Sequence, residues 1–337
     1  MNLQNILDIW ESYTDKDEFS GVFSVSDEQG VIFEKCTGFR NRSEKLANNS
    51  DTAFGIASGT KLFTGLATCK LIDEKKLSLS DKLCDILKYD LGQIDKRVTV
   101  FHLLTHTSGV GDYLDEEAPD CDEQFQALNK KYPVYLYEPL EYYLQMIAPL
   151  PPKFEPGERF GYSNAGFILL GLVIEAVSGV SYREYVHNNV IMPCELEHTG
   201  FYRADKLPAN TALGYMTDGR TNIFSLPVLG GSDGGIYTCA KDLTKLWQAV
   251  FAGKVFSSEM LKEFMKPQSK INEILSYGLG VYLYEIDGKT FYYAVGGDAG
   301  VDFFTVYLPE KKMTASALGN TEINTWQLLE AFINNIK

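Results

Sequence analysis

The sequence lacks any close pairing of cysteines: Cys36, Cys69, Cys84, Cys121, Cys194 and Cys239 are scattered through 337 residues with no C-x-x-C spacing. This argues against a zinc ribbon or a redox dithiol and predicts free, buried thiols. Basic charge is also short, with 31 Lys and Arg against 45 Asp and Glu and a formal net charge of -14. Such a surface repels nucleic-acid phosphates and anionic lipid, so neither nucleic acid nor a membrane is expected as a partner, and a small molecule or short peptide is. Only four histidines are present. His102 and His106 stand four apart, a metal-ligand spacing, but no glutamate lies between them as in H-E-x-x-H and no third ligand is evident, so both read as structural and no metal or cofactor is expected. Long apolar runs are missing too: the most apolar stretch, residues 165–177, is shorter than a bilayer span and contains Glu175. The opening MNLQNILDIWESYTDKDEF has no basic start, sustained apolar core or small-residue cleavage site, which predicts a cytoplasmic protein. There is no internal repeat and no low-complexity segment.

What is present is an ordinary globular composition, 45% hydrophobic and 23% charged, in a chain long enough for one large or two modest domains. Leu3, Ile6, Leu7 and Trp10 fall on one face of a short N-terminal helix. Residues 19–26 and 31–38 alternate around the turn Asp27-Glu-Gln-Gly30 and predict an antiparallel hairpin. A third extended run, 52–57, leads into a helix over 61–73, a short helical piece follows from Leu77, and Thr99 is placed to cap a helix over 98–104. Residues 110–150 are acidic, then rich in tyrosine (Tyr132, Tyr135, Tyr137, Tyr142, Tyr143), and suit either a lid over a site or a surface subdomain; these tyrosines either line a cleft or pack the inserted region. Proline-rich residues 149–157 form a rigid connector to the apolar helix that follows Asn164. Further helices are expected over 181–188 and from Thr238 through Trp247 to Phe251. The last quarter holds strand-like runs at 277–285, 289–295, 301–308 and 313–318 and a terminal helix over 322–336. Strands at both ends around a helical middle predict an α+β (α/β/α) fold: an antiparallel sheet built from both termini and flanked by helices, with an inserted mainly helical region. Its two parts would be 1–60 with 230–337 and 61–229, with the active site between them.

Two constellations carry candidate chemistry. Ser58 and Lys61 are three apart where an extended run becomes a helix, so the amine shares a face with the hydroxyl and could act as its base. The same pattern also suits an ordinary serine cap with a lysine one turn on. Tyr162-Ser-Asn164 lies between a proline-glycine turn and a helix. Tyr162 could relay a proton if an ammonium stabilised its phenolate, and Asn164 could bind an amide; alternatively, the tyrosine is core and its neighbours cap the helix.

Taken in order, Ser58-x-x-Lys61, His102-Leu-Leu-Thr-His-Thr-Ser-Gly109, Phe154-Glu-Pro-Gly-Glu-Arg-Phe-Gly-Tyr-Ser-Asn164 and Gly234-Gly-Ile-Tyr-Thr-Cys-Ala-Lys-Asp-Leu243 resemble the serine beta-lactamase and penicillin-binding-protein superfamily, in the branch of class C beta-lactamases, D,D-peptidases and related esterases. The resemblance spans roughly residues 15–335. It implies a beta-lactamase/transpeptidase-like fold, with Ser58 as the acylated nucleophile, Lys61 as the adjacent base and Tyr162 sharing proton transfer. Asn164 would bind the substrate amide and orient Lys61, and the N–H of Ser58 would form half of an oxyanion hole. The family's third motif, K-T-G or H-x-G, is altered. Ala294-Val-Gly296 stands in its place with Gly297 supplying the second N–H, or in a shifted register Gly297-Asp-Ala299; neither holds a lysine or histidine to pair with a substrate carboxylate. The glycine turn at 230–235 is expected at the rim of the site, and Arg159 and the acidic pairs on the solvated surface. The expected function is a serine hydrolase acting through a Ser58 acyl-enzyme on an ester, amide or beta-lactam, with carboxylesterase or D-amino-acid peptidase activity favoured over efficient beta-lactamase activity. The alternative is a catalytically weak penicillin-binding or ligand-sensing protein that retains the fold.

Overall fold

Alternation along the C-terminal strands sorts their side chains between two cores, because successive residues of a strand point to opposite faces of the sheet. In the computed structural model, which describes residues 3–14, 19–322 and 325–336, Tyr292, Phe303 and Tyr307 face one cluster while Tyr293, Phe304 and Val306 face the other. The strands form one antiparallel eight-stranded sheet in the order Gly30–Thr37, Gly21–Asp27, Met313–Gly319, Val301–Leu308, Lys289–Asp298, Tyr282–Ile286, Leu275–Tyr277, Ser269–Lys270. Both ends of the chain meet in its middle, where Gly21 pairs with Gly319 and Phe23 with Ala317. The outer face is covered by the helices Leu3–Thr14 and Trp326–Asn335, whose Ile6, Trp10, Leu329 and Phe332 bury against Phe23 and Phe304. The inner face carries the helices Thr60–Asp73, Asn164–Ser178 and Ala240–Phe251. The fold is therefore α+β, helices on both faces of one antiparallel sheet.

Several boundaries differ from expectation for local reasons. The run 277–285 is two strands, broken at Gly280, whose φ of +90° lies in the left-handed region that glycine tolerates. Thr238 does not open a helix: Tyr237–Thr238 pairs with Phe54–Gly55, and the helix starts at Ala240. The extended run before Ser58 shrinks to Phe54–Gly55, and the short helix expected from Leu77 lies at Leu83–Ile86. Thr99 caps Val100–Leu104 as expected, with His102 completing a reciprocal capping box. The terminal helix begins at Trp326; residues 323 and 324 of its expected span lie outside the described residues, as does Leu3's side chain. All six cysteines are free, but only Cys69, Cys194 and Cys239 are buried. Among the described residues no single helix is long and apolar enough to cross a membrane.

Candidate active site

Ser58 sits in a single 3-10 turn, Ala57–Gly59, at the start of the helix Thr60–Asp73. The turn is strained: Ala57 has φ +44°, a left-handed conformation costing an alanine about 1–2 kcal/mol. Thr60 holds it there, donating its hydroxyl to the Ala57 carbonyl at 2.8 Å and accepting from the Ile236 N–H at 3.0 Å. The strand Lys289–Asp298 closes against the other side. Gly296 lies so near that a Cβ placed on it would be 2.1 Å from the Ile56 carbonyl oxygen and 2.9 Å from the Ser58 nitrogen.

Lys61, only 3% exposed, donates from Nζ to three oxygens: Ser58 Oγ at 2.9 Å, Asn164 Oδ1 at 2.7 Å and the Asp233 carbonyl at 2.8 Å. The Asn164 amide is fixed in that orientation because its Nδ2 donates to the Leu114 carbonyl at 3.2 Å and to Glu116 Oε1 at 2.8 Å. Two of Lys61's three contacts are carbonyl oxygens, which cannot donate. When the amine is neutral its two hydrogens satisfy those carbonyls, leaving the lone pair directed at the Ser58 hydroxyl. Burial lowers the Lys61 pKa, against the charges of Asp233, Glu116, Asp112 and Asp298, which pull it up.

Tyr162 completes the group, with Lys61 Nζ 4.9 Å from its ring centroid. Burial first, and then the Glu116 charge, holds its phenol well above the usual value, opposed by a hydrogen bond with the Ser58 side chain. The phenolate considered for Tyr162 is thus disfavoured by its surroundings, and the tyrosine rests as a proton donor. The loop expected to be structural aims it: the His106 carbonyl accepts from Gly161 N–H at 2.8 Å, and its Nδ1 accepts from Ser163 N–H at 3.0 Å. The buried His106 ring packs against Tyr162, Phe167 and Tyr277 at centroid distances of 4.6, 4.9 and 4.6 Å, and burial keeps it neutral. His102 Nδ1, like His106 Nδ1, accepts from a backbone N–H, that of Thr99 at 3.2 Å.

The cleft above Ser58 has two lobes of about 480 and 380 Å³ that meet at Ser58, Glu116 and Gly297. The strand expected to carry the third motif lies beside Ser58; Ala294 is buried on its inner face, Gly297 lines both lobes and Asp298 the larger one. Residues 110–150 form a wall of the larger lobe. Tyr137 and Tyr143 line it and are buried, whereas Tyr135 is 61% exposed, so the tyrosines divide between the two roles considered. The glycine turn contributes more than a rim, since Asp233's carbonyl holds Lys61 and its carboxylate accepts from Tyr113. Asp112 caps the helix of Asn164, accepting from Asn164 N–H at 2.6 Å and Ala165 N–H at 3.1 Å. Glu116 and Glu117, expected on the solvated surface, line the cleft instead. Asp112, Glu116 and Asp233 lie in irregular loops and one acts through its backbone, so no residue pattern marked them.

Comparison with known proteins identifies the family and the fold. The family model described as Beta-lactamase matches residues 9–333. Penicillin-binding protein 4* of Bacillus subtilis is 26% identical over 94% of this chain and 71% of its own. Protein flp of Staphylococcus aureus is 29% identical over 79% of this chain, which spans about half (48%) of that relative. A penicillin binding protein from Bacillus halodurans superposes with a TM-score of 0.89 at 39% identity, covering 99% of each chain. A D-stereospecific amidohydrolase from Streptomyces sp. shares the fold, with a TM-score of 0.81 at 22% identity over 98% of each chain. With the matched model and the site it encloses, this chain belongs to the beta-lactamase family.

Proposed function

We propose that this chain is a serine hydrolase that forms an acyl-enzyme at Ser58 from an ester or amide and transfers the acyl group to water. The observation that carries this reading is the Lys61 amine, clamped by the Asn164 and Asp233 carbonyls so that its third position falls on Ser58 Oγ at 2.9 Å. In the forward step Oγ bonds to the substrate carbonyl carbon while its proton passes to Lys61. The carbonyl π electrons move to oxygen, where the N–H groups of Ser58 and Gly297 stabilise the oxyanion; one such donor is worth about 2–4 kcal/mol. As the oxyanion re-forms the carbonyl, the bond to the leaving oxygen or nitrogen breaks, and that atom takes a proton delivered through Tyr162 from Lys61. Water then attacks the ester, its proton goes to the amine, and Ser58 leaves with a proton restored.

Carboxylesterase or D-amino-acid peptidase chemistry is favoured over efficient beta-lactam hydrolysis, because position 294 is a buried alanine and, among the described residues lining the cleft, there is no lysine, arginine or histidine to pair with a penicillin carboxylate. The shared fold with a D-stereospecific amidohydrolase is compatible with this. The test is a panel of nitrophenyl esters, D-alanyl peptides and nitrocefin on wild type and Ser58→Ala. Ester turnover that disappears in the variant supports the proposal, while turnover equal in both proteins removes Ser58 from the chemistry. An adduct that forms and is never released would favour the penicillin-binding reading instead.

A further inference from the structure

The charge inside the cleft is one-sided. Among the described residues lining its two lobes there are six carboxylates, Glu116, Glu117, Asp233, Asp298, Asp302 and Glu322, and no lysine, arginine or histidine. Lys61 reaches Ser58 from behind, buried, with its donors already engaged. Four of the six carboxylates have local partners: Glu117 pairs with Lys153 at 3.5 Å, Asp233 accepts from Tyr113, Asp302 from Thr325, and Glu322 from the Gly300 N–H at 3.3 Å. Of these only Glu117 meets a cation; like Asp233, Asp302 and Glu322, Glu116 and Asp298 accept only from neutral groups, Glu116 from Asn164 Nδ2 at 2.8 Å and Asp298 from the Ala299 N–H at 2.8 Å, and among the described residues neither forms an ion pair. Both are open to the cleft; desolvation first, and then the charges of Glu116 and Asp233, raise the Asp298 carboxyl to about 7. Glu116 stands where the two lobes meet at Ser58, and Asp298 follows Gly297 on the strand that faces it.

A second feature points to the same ligand charge. The larger lobe is lined by five tyrosines, Tyr113, Tyr137, Tyr143, Tyr202 and Tyr237, and aromatic rings attract cations. Tyrosines beside carboxylates that meet no cation suit an ammonium group, and the same carboxylates act against an anion.

Resting on the acyl-transfer reading above, we infer that this site selects esters or amides bearing a positive charge near the scissile carbonyl, such as an aminoacyl amide or ester with a free ammonium, through Glu116 and Asp298, and rejects substrates bearing a carboxylate there. The selection runs opposite to that of a site with a lysine or histidine on the strand beside the nucleophile.

Three p-nitrophenyl esters of matched shape test this: 4-(trimethylammonio)butanoate, its neutral isostere 5,5-dimethylhexanoate, and the hemiester of glutarate. For the wild type, kcat/KM falls in the order cation, neutral, anion, with about tenfold or more between the first and the last. That ratio shrinks in about 0.5 M salt, which screens charges open to the cleft. Glu116→Gln with Asp298→Asn lowers the ratio by about tenfold or more. A wild-type ratio at or below one, a ratio indifferent to salt, or a ratio unchanged in the double variant overturns the inference. Labelling of Ser58 by a fluorophosphonate in the same preparations separates the two readings. Labelled wild-type protein with no charge preference refutes the selectivity alone, whereas protein never labelled refutes the acyl-transfer reading and the selectivity with it. If the double variant does not label, the salt dependence of the wild-type ratio decides.

Discussion

Gly296→Ala is expected to damage catalysis far more than stability, and Gly297→Ala, one residue on, to do neither. At Gly296 a Cβ would lie 2.1 Å from the Ile56 carbonyl oxygen and 2.9 Å from the nitrogens of Ser58 and Gly59. All three atoms are backbone, so no side-chain rotation relieves the contact. Real Cβ atoms essentially never approach closer than 3.0 Å, and reaching that distance from 2.1 Å requires strand and turn to part by about 0.9 Å. Overpacking of this size costs about 1–3 kcal/mol, a few degrees of Tm in a chain of this length. A nucleophile displaced by about 1 Å loses about 10²-fold in rate. At Gly297 the added methyl meets nothing within 4 Å and φ is outside the left-handed region, so turnover of a small ester should stay within about threefold of wild type. Steady-state kinetics on p-nitrophenyl acetate with thermal melts of both variants provide the assay. Gly296→Ala retaining wild-type kcat/KM, or Gly297→Ala being the more damaging change, would refute the close packing of this strand on the Ser58 turn.

Three further outcomes follow from the same contacts. Lys61→Met removes the base and leaves the Asn164 and Asp233 carbonyls without their donor, so ester kcat should fall by about 10²–10⁴-fold, read by stopped-assay kinetics. On the proposed mechanism catalysis needs Lys61 neutral, so activity rises with pH through its pKa; the Asp233 charge raises that pKa, and Asp233→Asn should move the rising limb of the kcat/KM profile to lower pH. His106 sits at φ +54° and accepts from the Ser163 N–H, so His106→Ala should lose about 2–4 kcal/mol in urea denaturation through cavity and unpaired donor, and His106→Asn, which tolerates that φ, less.

Much of this molecule was legible because its signals are local. Alternation around Asp27-Glu-Gln-Gly30 and along 301–308 and 313–318 marked strands within a residue or two of where they stand, and Ser58, Lys61, Tyr162 and Asn164, singled out by their order in the sequence, lie together in the fold. What escaped was either non-local or carried by backbone. The short pair Phe54–Gly55 with Tyr237–Thr238, which frames the Ser58 turn, joins segments too distant and too brief for periodicity to reveal. Asp233 grips Lys61 through a carbonyl that any residue could provide, and Ala57's left-handed φ is imposed by Thr60 and its partner strand rather than by alanine itself. Glu116 read as surface charge because its loop has no regular period; only the folded chain brings it over Ser58.

The central claim, that Lys61 activates Ser58 for acyl transfer, is tested most directly by intact-mass spectrometry after exposure to a fluorophosphonate. The account predicts a single adduct that maps to the peptide containing Ser58, forms faster as pH rises through the lowered pKa of Lys61, and is absent from Ser58→Ala. Wild-type protein that gains no adduct, or an adduct that persists in Ser58→Ala, would contradict it.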